Sequence, residues 1–101
     1  MKVRSDGHPV ITVPNAAYFA KLHWKLSKDR RLPLWVIYGP TTKEYPGSWV
    51  ARMHVSLPEE KATRFVMTHD SLEELRTLIP SGLVRLGRDP SDPAEIVEMW
   101  I

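Results

Sequence analysis

The chain has 101 residues, 43% of them apolar and 26% charged, which suits one globular domain with a single core and argues against disorder. It has no cysteine, which excludes disulfides, thiolate nucleophiles and cysteine-ligated zinc; no apolar run approaches the roughly 20 residues that span a bilayer. The net charge of +2 hides an asymmetry: residues 1–45 hold eight Lys/Arg against three Asp/Glu, and residues 46–101 hold six against nine.

Such an imbalance can mark an anionic partner, or a match between two halves of one fold. The first residues, Met1-Lys2-Val3-Arg4, lead into no apolar run and do not read as a signal peptide, so a cytoplasmic location is expected. Residues 1–9 read as a loose terminus and residues 10–13 as a short β-prone run stopped by Pro14. Asn15 stands where a helix cap belongs, and residues 16–28 carry helical periodicity, with Phe19, Leu22, His23 and Leu26 on one face. Residues 34–38 are unbroken apolar sequence, the pattern of a strand covered on both faces.

Residues 39–48, with two prolines and two glycines, read as a long turn. Residues 49–57 then alternate, with Trp49, Ala51, Met53, Val55 and Leu57 on one side and Val50, Arg52, His54 and Ser56 on the other. Residues 63–68 return as the second arm of a hairpin. Asp70 with Glu73 forms a capping-box pattern, which Ser71 with Glu74 fits nearly as well. Leu72, Leu75, Leu78 and Ile79 make the stripe of a second helix that Pro80-Ser81-Gly82 stops. A short strand over residues 83–86, a polar loop and a strand over residues 95–101 complete the chain. The expected fold is α+β, a single-layer, mostly antiparallel sheet of three to five strands with two helices packed on it, in the order β-α-β-β-β-α-β-β.

Chemistry is sparse. In the hairpin, parity places His69 on the face opposite His54, or His69 lies beyond the strand; ligands on opposite faces cannot share a metal at bonds of about 2 Å. His23 borders a core face. No Ser-His-carboxylate pattern, phosphate loop or dinucleotide fingerprint occurs, and the pairs Glu59-Glu60 and Glu73-Glu74 fall in a turn and a first helical turn. No metal, no cofactor, no membrane partner and no catalytic residue are expected.

The most distinctive constellation lies on the first helix. Lys21, Lys25 and Lys28 fall within a sector of about 60°, flanked by Trp24 and Tyr18, with Arg31 beyond the helix end. This pattern suits grip on an anionic surface, and it also suits an ordinary solvated face. Secondary candidates are Arg52, His54 and Arg64 on the even hairpin face, Tyr45 in the long turn, and Trp100 in the terminal strand. If that strand lies at a sheet edge it invites pairing with another chain, including a second copy; if it inserts centrally it is core. The expected function is a non-enzymatic protein-interaction module, such as a small phage or bacterial regulator or inhibitor of a larger machine. The alternative is nucleic-acid binding through the basic helix, and a third class is a small-molecule enzyme whose pocket carries no motif.

Overall fold

A computed structural model describes residues 2–3, 9–10 and 16–101, with side chains from residue 17 onward. The longest apolar run in the sequence becomes the middle of the fold. Strand β3 (Pro33–Tyr38) pairs antiparallel with β4 (Trp49–Val55) on one side and with β7 (Ile96–Trp100) on the other. Strands β5 (Lys61–His69) and β6 (Arg85–Gly87) complete an all-antiparallel sheet of order β5-β4-β3-β7-β6. Leu34 and Val36 are buried along with Trp35 and Ile37, so β3 is covered on both faces as its composition implies.

Helix α1 (Ala16–Lys28) packs on β3, and α2 (Leu72–Leu78) packs on β4 and β5. Both helices sit on the odd-numbered face. There Phe19, Trp35, Ile37, Ala51, Met53, Met67, Leu75 and Ile79 form the core, and Phe19 meets the ring of Trp35 edge to face at 5.4 Å. The architecture is therefore the α+β sheet with two helices that the hydrophobic periodicity implies. Lys2–Val3 (β1) and Pro9–Val10 (β2) form a separate antiparallel pair, and β2 lies against β5. Lys2, Val3 and Pro9 fall within residues 1–9, which the sequence reads as loose; their backbone is paired here, and the rest of that stretch lies outside the described residues. Asn15 and the rest of the run over residues 10–13 lie outside the described residues.

Two alternatives that the sequence leaves open are decided. The cap of α2 is Ser71 rather than Asp70: Ser71 has extended backbone and its hydroxyl accepts from the Glu74 amide at 3.3 Å, while Asp70 lies one residue outside. His69 Nδ1 accepts from the Ser71 amide at 3.1 Å, which orients the cap. The possibility that the terminal strand is an edge is also excluded. β7 is inserted between β3 and β6, and β6 is the edge on that side of the sheet.

The ladder has two irregularities with a purpose. Between Arg52 and His54 strand β4 advances two residues while β5 advances four, from Val66 to Ala62. The Thr63 hydroxyl fills the gap, donating to the Met53 carbonyl at 2.7 Å and accepting from the Phe65 amide at 3.2 Å. Phe65 is thereby turned toward Phe19, 6.3 Å between ring centres. At the other end of the sheet Val97 bulges beside Gly39, whose amide donates to the Glu95 carbonyl at 2.8 Å.

Candidate functional site

Helix α1 ends in a Schellman arrangement. The Arg30 amide donates to Ser27 O at 3.0 Å and the Arg31 amide to Leu26 O at 3.0 Å, with Arg30 itself left-handed at φ 58°. Leu32 is left-handed as well, at φ 50°. The two reversals present Arg31 to the β4–β5 turn. Its carbonyl accepts from the Ser56 and Leu57 amides, and its Nε donates to Leu57 O at 3.0 Å. Arg31 is therefore a clasp between two connections rather than the end of the basic stripe.

The rest of the stripe holds together. Lys21, Trp24, Lys25 and Lys28 line one shallow trough with Ala20 at its floor. The Trp24 ring is 44% exposed and stands edge to face with the buried His23 ring at 4.9 Å. Beneath it lies Gly82, at φ +91° in the turn after α2; a Cβ there would come within 3.8 Å of the indole. A glycine thus supplies both the turn and a floor for the ring. Among the described residues no carboxylate pairs with Lys21, Lys25 or Lys28. Tyr18, also half exposed, lies on the far flank against Phe19.

The secondary candidates separate into two groups. Arg52 and Tyr45 line a concavity of about 230 Å³ with Tyr38, Thr42, Lys43, Glu44 and Val50, on the sheet face opposite the helices. Arg52 donates to both carboxylate oxygens of Glu44, at 3.0 and 3.1 Å, and to the Thr63 carbonyl at 2.7 Å. Beside it Tyr38 Oη and His54 Nε2 share a hydrogen bond of 3.2 Å. Burial pushes the Tyr38 phenol up and the His54 imidazole down, which favours the neutral form of each. Arg64 is exposed and stands outside this group. The β3–β4 register places Tyr38 on the face of His54, which the unbroken apolar run of β3 does not reveal in the sequence.

Trp100 belongs to a buried ionic cluster that sequence reading missed. Glu98, 4% exposed, accepts from Arg76 of α2 through both oxygens, at 2.6 and 3.0 Å, and from Trp100 Nε1 at 2.8 Å. Burial pushes this carboxyl up, but the hydrogen bonds from Arg76 and Trp100 and the charges of Arg76 and Arg85 outweigh it and hold it low. The cluster ties α2 to β7. The Trp100 indole N–H is spent on Glu98, so this half-buried ring anchors β7 within the cluster.

Register places His54 opposite Ala62 and His69 opposite Trp49, on different faces of the sheet. Among the described residues no three His, Asp or Glu side chains gather as a metal site, and no helix is long and apolar enough to cross a membrane. No family model matches the chain, and neither a curated protein nor a solved structure matches it.

Proposed function

We propose that the protein is a non-enzymatic interaction module that docks an acidic segment of a partner protein on the exposed face of α1. The observation that carries this reading is Trp24, a half-exposed ring set in a trough whose rim is Lys21, Lys25 and Lys28. An exposed tryptophan supplies apolar area at low entropic cost, and unpaired lysines around it select a partner by charge. A role as regulator or inhibitor of a larger assembly fits a small domain with one such face.

Nucleic acid is the second reading, because an exposed ring beside lysines can stack a base while the ammonium groups meet phosphates. Geometry favours it less. The lysines span about 10 Å along the helix, and Arg31, which would extend the track, is held by Leu57. Three neutralised phosphates of a single strand give a log–log salt slope of only about −2.

An aromatic photo-crosslinker in place of Trp24, used in cells of the source organism, tests the assignment. The expected product is a protein adduct that resists nuclease and disappears when Lys21→Glu and Lys25→Glu are added. A nuclease-sensitive adduct would transfer the assignment to nucleic acid. An adduct indifferent to charge reversal, or none above a crosslinker placed at Arg64, would remove it from α1 altogether.

A further inference from the structure

Strand β6 leaves a sheet edge open. Val84 and Ile101 exchange backbone hydrogen bonds, Val84 N to Ile101 O at 2.8 Å and Ile101 N to Val84 O at 3.0 Å. In an antiparallel ladder inward and outward pairs alternate. Leu86, paired with Met99, is therefore also directed inward, while the amides and carbonyls of Arg85 and Gly87 point away from β7. Among the described residues no strand pairs with that outer side. The same corner exposes apolar side chains on the face opposite the helices: Val84 at 61% and Leu86 at 43%. Leu86 extends the row formed by Met99 and the buried Val36, and Val84 lies beside it.

We propose that β6 pairs antiparallel with β6 of a second copy of this chain, about a two-fold axis through Leu86, to give a continuous ten-stranded sheet. The sequence of the edge is self-complementary in this register. Arg85 exchanges two hydrogen bonds with Gly87 of the second copy, and Gly87 does the same with its Arg85. Arginine at an edge ordinarily discourages pairing. Here the residue across from each Arg85 is a glycine without a side chain, and its two diagonal neighbours are Asp89 of the second copy, of opposite charge, and Arg85 of the second copy, of like charge, so the diagonal charges offset. Sliding the register to set Arg85 against Arg85 would oppose like charges. Leu86 then faces Leu86, and the Val84 side chains cover the joint, so the exposed apolar corner is buried on association. The pairing is short and its affinity is accordingly modest, with dimer forming at high protein concentration.

The lack of cysteine in the chain makes the test direct. Side chains facing each other in a non-hydrogen-bonded pair stand close enough for a disulfide. Leu86→Cys, at a half-exposed position, is expected to oxidise to a covalent dimer about tenfold or more faster than Val84→Cys, because pairing raises the local thiol concentration only in register. Sedimentation equilibrium of the unmodified protein is expected to show the mass doubling as concentration rises, and Leu86→Lys, with its unfolding transition retained, to return it to the monomer. A monomer at every concentration, equal oxidation of the two cysteine variants, or a dimer that survives Leu86→Lys would overturn the proposal. None of these outcomes bears on the α1 face, which lies on another element.

Discussion

A single carboxylate decides how the C-terminal third is held. Glu98 is an acid in an otherwise apolar strand, and it is buried against Arg76 and the Trp100 indole. A carboxyl held below its ordinary value of 4.5 stabilises the fold above that pH, and the contribution is lost as the pH falls through the lowered value. His23 acts earlier: burial lowers it from 6.5, so its share declines as the pH drops below 6.5. Acid unfolding is expected in two limbs, the lower of which flattens in Glu98→Gln. Arg76→Ala, which strands a buried charge, is expected to cost about 2–4 kcal/mol, discounted because the guanidinium is partly exposed. Urea unfolding across pH 3–8 measures both on the axis defined by these groups. If Arg76→Ala unfolds like the parent, the cluster is not what secures α2 to β7.

At the scale of elements, helix ends show how local chemistry competes. Asp70 and Ser71 both carry the side chain of a cap, and each has a glutamate three residues on. Packing decides between them, because burying Leu75 fixes the phase of α2 and places Ser71 at its start. Ser71→Ala is expected to lose about 1 kcal/mol by chemical denaturation, whereas Asp70→Ala is expected to stay within about 0.5 kcal/mol. Equal losses would show that both side chains cap the helix. The end of α1 is less legible. Arg30 and Leu32 adopt the left-handed conformation that glycine usually takes, and no residue pattern announces it. The signal is tertiary: the reversals carry Arg31 onto the β4–β5 turn.

For the whole molecule, the consequential fact is where the last strand goes. Ile96–Trp100 inserts between β3 and β6 rather than closing the sheet from outside. Deleting residues 96–101 is therefore expected to abolish the cooperative thermal transition seen by circular dichroism, since β3 loses a neighbour, β6 loses the strand it pairs with and Arg76 loses Glu98. A truncated chain that still melts cooperatively would mean that β3, β4, β5 and the helices fold without it. The charge asymmetry also finds its place at this scale. Among the described residues the acids of the second half do not neutralise α1; the ion pair seen between the halves sets Glu44 against Arg52, the reverse of that match. Among the described residues the α1 lysines have no carboxylate partner.

Periodicity by itself determined the α+β class, both helices, the hairpin and the face on which His54 lies, because each follows from which neighbours a side chain must share within a few residues. It also brought Lys21, Trp24, Lys25 and Lys28 together, since one helix carries all four. The tertiary structure decided what depends on distant segments. Strand order, the edge at β6, the Glu98–Arg76 pair across 22 positions and the capture of Arg31 by Leu57 across 26 all require two parts of the chain to meet. Local pattern carries no information on such meetings, because their free energy arises only after the intervening loop has closed.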